Sequence, residues 1–177
     1  PAGPDLGALA VDVEWPKTGA PGVAPGCCFE DNYFWTIRCY YYPPETGEYR
    51  FYFCTDDNAE YFLSTDESPA NAQLIAKETG WHPVRDYQSI EDEATSAMIY
   101  LEEGKPYYIE MVNKEAGGGD NAALVIVLPS DEDREVMDGE TPVLGKYFSP
   151  FLMPVPDAVD LTITEQPSDA SSEVNST

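Results

Sequence analysis

Apolar and polar residues alternate, or apolar residues gather in short runs, along most of the chain, and no helical period is sustained. Such segments read as strands: ALAVDVEW (8–15), YFWTIRCYYY (33–42), EYRFYFC (48–54), EYFLS (60–64), QLIAK (73–77), SAMIYL (96–101), KPYYIEMVNKE (105–115) and NAALVIVLP (121–129). Turn-forming stretches separate them. PKTGAPGVAPG follows the first, and PPETG between the second and third predicts a hairpin. SPANAQLIAK begins with Pro and Asn and is too short for a stable helix, so it reads as turn then strand. The expected fold is an all-β, antiparallel β-sandwich. After Pro129, SDEDREVMDGE carries six acids and one base and belongs on the surface, and TPVLGKYFSPFLMPVP, broken by prolines, closes the domain as an extended segment. VDLTITEQP (159–167) alternates like a strand, and SDASSEVNST reads as a tail or linker. The chain accordingly divides into an N-terminal strand and Pro/Gly-rich loop (1–32), a sandwich core (33–152) and an extended C-terminal segment, tail or linker (153–177).

Length and charge narrow the function classes. The 177 residues suit one domain able to bury a core, and 42% are hydrophobic. Nine basic against 33 acidic residues, a net charge of −24, exclude a nucleic-acid footprint and disfavour acidic membrane surfaces. The same balance favours cations. No run is long and apolar enough for a transmembrane helix, so no direct membrane insertion is expected. The opening PAGPDLG has no leader, which fits a processed secreted protein or an excised part of a larger one. Asn175-Ser176-Thr177 is a glycosylation sequon at the extreme end. Cys27, Cys28, Cys39 and Cys54 permit two disulfides. Cys39 and Cys54 flank the expected hairpin and are candidates to face each other across it, while the adjacent Cys27 and Cys28 take separate partners.

The candidate chemistry is oxygen-based. His82, the single histidine, lies in GWHPV with no nucleophile motif beside it, and reads as a packed loop residue; no catalytic residue is expected. Zinc-type His and Cys clusters are absent. Calcium needs several carboxylate, amide and backbone oxygens. Two distant loops offer them: TDDN (55–58), with Asp56 and Asp57, and GGGDN (117–121), with Asp120 and Asn121. Asp66 and Glu67 read as a solvated turn.

The order of motifs is more specific than any one of them. PPETGEYRF, then Asp56-Asp57, then LEEGKPY, then Gly118-Gly119-Asp120, together with PVLGKYFSPF, resembles the PA-fourteen domain family. That family includes domains of anthrax protective antigen, yeast flocculins, bacterial adhesins and some glycosidases. The resemblance runs from Tyr33 to Pro129. It implies a β-sandwich in secreted or cell-surface proteins, with calcium held by two consecutive aspartates joined by a cis peptide. On that pattern Asp56 and Asp57 are the pair, and Asp120 and Asn121 belong to the second ligand loop. The segment before Tyr33 and the cysteines have no counterpart in the family pattern.

The expected function is therefore an extracellular, non-catalytic, calcium-dependent carbohydrate-binding or adhesion module, with glycan or glycoprotein as partner. Trp81 or Tyr87, after KETG, would stack on a sugar or pack their loop. A structural subunit of a surface filament or sheath, self-assembling through VDLTITEQP, and an accessory domain of a larger glycosidase are the alternatives.

Overall fold

The computed structural model describes residues 14–15, 31–90 and 92–151. Nine strands lie in these residues: β1 (Glu14–Trp15), β2 (Tyr33–Tyr41), β3 (Gly47–Asp56), β4 (Asn58–Ser64), β5 (Ala72–Glu78), β6 (Ile99–Leu101), β7 (Tyr107–Glu115), β8 (Asn121–Val127) and β9 (Phe148–Pro150). They form a four-stranded sheet, β1-β8-β3-β6, and a five-stranded sheet, β5-β4-β7-β2-β9, and every pairing is antiparallel. The molecule is an antiparallel β-sandwich. Among the described residues no helix is long and apolar enough to cross a membrane.

Strand periodicity explains the layers. On β2, Trp35, Ile37, Cys39 and Tyr41 face inward; on β3, Tyr49, Phe51 and Phe53 meet them from the other sheet. Phe53 stacks on Tyr61 of β4 with centroids 3.6 Å apart, and Tyr41 meets Tyr49 edge-on at 6.1 Å. Each such ring contributes roughly 2 kcal/mol by leaving water. β8 is buried throughout because its second face is also covered: Ala123, Val125 and Val127 pack with Cys54, Tyr87 and Val136. A continuous apolar run is what a strand buried on both faces requires.

Two expectations are corrected. PPETG does not close a hairpin, since β2 and β3 lie in different sheets and face each other across the core. The turn instead carries the chain from one layer to the other, held by Tyr49 Oη donating to Glu45 O at 2.6 Å. Gly47 is needed there, because a Cβ would fall 2.6 Å from Pro129 Cβ. Consequently Cys39 and Cys54 do not pair, and both thiols are free. Cys39 points into the inter-sheet core and Cys54 to the opposite face of its own sheet. Burial pushes each thiol up to about 12, so neither is poised to react.

Other expectations translate directly. The β4–β5 link is a hairpin whose exposed Asp66 accepts Ser68 N at 2.8 Å and Asn71 Nδ2 at 2.7 Å. The closing segment supplies β9 at the edge of β2. Glu14–Trp15 pairs with β8, so residues assigned to the N-terminal segment add a strand to the sandwich. Cys27, Cys28, VDLTITEQP and Asn175 lie outside the described residues.

Candidate metal centre

Two connections between the sheets meet at one end of the sandwich. β3 ends at Asp56 and β4 starts at Asn58, leaving Asp57 as the whole link, and the Asp56–Asp57 peptide is cis. β7 ends at Glu115 and β8 starts at Asn121, joined by 116–120. Asp56 is the register partner of Asn121, and Asn58 that of Lys114, so the crossings lie side by side.

The inward face of β7 turns polar here. Ile109 and Met111 belong to the core, and the next inward positions are Asn113 and Glu115, 0% and 1% exposed. Carboxylate oxygens of Asp56, Asp57 and Glu115 all lie within 4.8 Å of one another. Like charges at that spacing repel by about 3 kcal/mol per pair at an effective dielectric of about 20. Neither Glu115 oxygen has a well-formed hydrogen bond, and Asn113 Oδ1 is likewise buried without a partner. The acids around it are held in place. Asp57 Oδ2 accepts Ala116 N at 2.8 Å, and Thr55 Oγ1 donates to Asp57 O at 3.1 Å. Tyr33 Oη donates to Asp120 Oδ1 at 2.6 Å, and Asp120 is buried.

Electrostatics follow from this crowding. Burial, then the charges of Asp120, Asp57 and Asp56, push the Glu115 carboxyl up to about 7. Burial, then Asp57 and Asp120, push Asp56 up to about 6; His82 opposes this only slightly. No ion pair among the described residues involves Asp56, Asp57 or Glu115: Arg38, Lys77, Arg85, Lys105 and Arg134 each serve another acid.

The donor set is all oxygen, three carboxylates and an orphaned amide carbonyl, which fits a hard cation such as calcium. Four residues were candidate ligands from sequence, and the structure treats them unequally. It brings Asp56 and Asp57 together and sets Asp120 beside them. Asn121 is engaged elsewhere, its Nδ2 donating to His82 O at 2.8 Å and its Oδ1 facing Cys54 Sγ at 3.7 Å. Glu115 and Asn113 were not anticipated. Their signal was parity: in YIEMVNKE they continue the apolar phase of Ile109 and Met111. Trp81 is 63% exposed on a loop whose next residue, His82, donates its amide to Thr55 O at 2.9 Å, which fastens that loop beside the strand end bearing Asp56. Tyr87 is 3% exposed and packs in the outer cluster of the four-stranded sheet; its ring holds the loop and has no face free for a sugar.

No family model matches the chain. A mouse protein, N-acetyl-beta-glucosaminyl-glycoprotein 4-beta-N-acetylgalactosaminyltransferase 1, is 32% identical over 92 residues, which are 50% of this chain and 9% of that protein. Similar solved structures include two A domains from Candida glabrata. Epithelial adhesin 6, in complex with Galb1-3GlcNAc, is 17% identical with a TM-score of 0.48, over 68% of this chain and 52% of that one. Epithelial adhesin 9, in complex with Galb1-4GlcNAc, is 19% identical with a TM-score of 0.45, over 64% and 53%. The chain thus spans about half the length of those adhesin chains and a small part of the transferase.

Proposed function

We propose that this sandwich is a non-catalytic, calcium-dependent carbohydrate-binding module of an extracellular or cell-surface protein. The observation that carries the proposal is Glu115, a buried carboxylate with no well-formed hydrogen bond, facing Asp56 and Asp57. A buried anion among anions is costly unless a cation joins it. Asp56, Asp57 and Glu115 would hold the ion, with Asn113 Oδ1 as a neutral donor and Asp120 alongside. Bound calcium supplies positive charge and coordination positions that hydroxyls of a sugar can complete. Trp81 offers an apolar face to the same ring. The resemblance in the ordered motifs from Tyr33 to Pro129 supports this reading independently of the geometry.

The test is binding to immobilised oligosaccharides in calcium and in chelator. Binding is expected only with calcium, and Asp57→Ala should lose it while keeping the native circular dichroism spectrum. Equal binding in chelator removes the cation from the mechanism. The Tyr33 bond adds a second expectation. Tyr33→Phe removes the hydrogen bond that Tyr33 Oη gives Asp120, so calcium affinity measured by calorimetry should fall about tenfold, the scale of losing a bond that orients a ligand group. An unchanged affinity would place Asp120 outside the site.

A second reading has one observation in its favour, the 92-residue likeness to a glycosylation enzyme. There the sandwich would be an accessory module of a larger carbohydrate-processing protein. Assay of the full-length product for glycosyl transfer or hydrolysis distinguishes the two, since the isolated sandwich should show neither.

A further inference from the structure

Glu78 closes β5 with its side chain buried, and the cation site makes no use of it. Its oxygens organise the loop that follows. One accepts the amides of Thr79 and Gly80 at 2.9 and 3.1 Å, and the other lies 3.0 Å from His82 Nδ1. The carboxylate therefore ties the chain by hydrogen bonds before Trp81, and after it faces the His82 ring at close range without a well-formed hydrogen bond. The far end is fastened to the strands of the acidic site. His82 N donates to Thr55 O at 2.9 Å, Asn121 Nδ2 donates to His82 O at 2.8 Å, and Cys54 Sγ meets Pro83 O at 3.1 Å. Thr55 precedes Asp56, and Asn121 is its register partner. The loop's aromatic residue, Trp81, projects into solvent from this frame.

We infer that Glu78 and His82 are positioning residues that hold the Trp81 indole as a fixed apolar platform for a sugar ring beside the acidic site. The inference rests on the proposed sugar-binding reading and adds what determines its geometry. An indole on a loose loop must be ordered when ligand arrives, whereas one already held loses less freedom and binds more tightly. The Glu78 carboxylate touches neither the ion nor the sugar; it acts through the loop.

The test compares Glu78→Gln, Glu78→Ala, Trp81→Ala and the double variant Glu78→Gln/Trp81→Ala. Immobilised lactose and Galb1-3GlcNAc are the probes, and calorimetry with calcium alone is the reference. Each Glu78 variant should weaken glycan binding about tenfold. The double variant should be no weaker than Trp81→Ala, because Glu78 acts through the indole. Calcium affinity should stay within about threefold of the native value. Independent, multiplying losses, or a fall in calcium affinity matching the glycan loss, overturn the inference. Glu78→Gln keeps the shape and an amide oxygen for Thr79 and Gly80, so the comparison survives if Glu78→Ala does not fold. Hydrogen exchange at the His82 amide needs no glycan: it should quicken in Glu78→Gln, and an unchanged rate counts against the brace. A native chain that binds neither probe, with that exchange still quickened, overturns only the sugar reading.

Discussion

Glu115→Gln should change stability in opposite directions with and without calcium. At pH 8 the native carboxyl, pushed up to about 7 by burial and by Asp120, Asp57 and Asp56, is ionised inside an acidic cluster. An amide of the same shape removes that repulsion and can donate to the neighbouring carboxylates. In chelator the variant should therefore be more stable than the native chain by about 2 kcal/mol. In calcium the order should reverse. Binding stabilises the native fold by about 2.7 kcal/mol when the free ion is 100-fold above its dissociation constant, and a site with one carboxylate fewer gains much less. Urea unfolding of both proteins under both conditions measures the four stabilities. A variant less stable than the native chain in chelator at pH 8 would show that Glu115 is satisfied by the protein alone.

The second large effect is an inverted pH dependence of the metal-free protein. Glu115 rises from an ordinary 4.5 to about 7, and Asp56 from 3.8 to about 6. Both folded-state values lie above the unfolded ones, so the folded state binds protons more tightly. The stability these groups contribute is present below about pH 4 and lost as pH rises through about 7. Chelator-treated protein should thus melt higher at pH 5.5 than at pH 7.5. Calcium displaces the protons, so its affinity should rise with pH over the same interval, and saturating calcium should flatten the melting profile. Asp86 works the other way: its carboxyl is lowered, chiefly by Ser89, and that contribution is lost only at more acid pH. Thermal melts in chelator at the two pH values decide the point. A higher melting temperature at pH 7.5 than at pH 5.5 would mean that the acids are already compensated.

Much of the sandwich was legible because its strands obey a period of two. All eight segments read as strands contain one, and β9 emerges from the expected closing segment. What periodicity cannot tell is whether successive strands lie side by side or face to face. YFWTIRCYYY and EYRFYFC show the same inward alternation either way, so PPETG reads as a hairpin in sequence although it is a passage between sheets. The candidate Cys39–Cys54 pairing fails for the same reason, since the two strands present those residues to different spaces.

The candidate site divides along a similar line. Asp56 and Asp57 stand out because two acids end an aromatic strand and match a family pattern in order. Glu115 and Asn113 look like ordinary surface residues beside Lys114, and only the phase of β7 reveals that they point inward. Tyr87 and Trp81 share one connection in the sequence, yet one anchors it and the other is exposed. Polarity alone does not assign a direction; the neighbouring layer does.

The most direct test of the cation site is a crystal structure of chelator-treated protein soaked in calcium. One ion is expected, with Asp56, Asp57 and Glu115 within about 2.3–2.6 Å of it. Carboxylates turned apart with only water between them, or a lysine or arginine side chain in their midst, would contradict it.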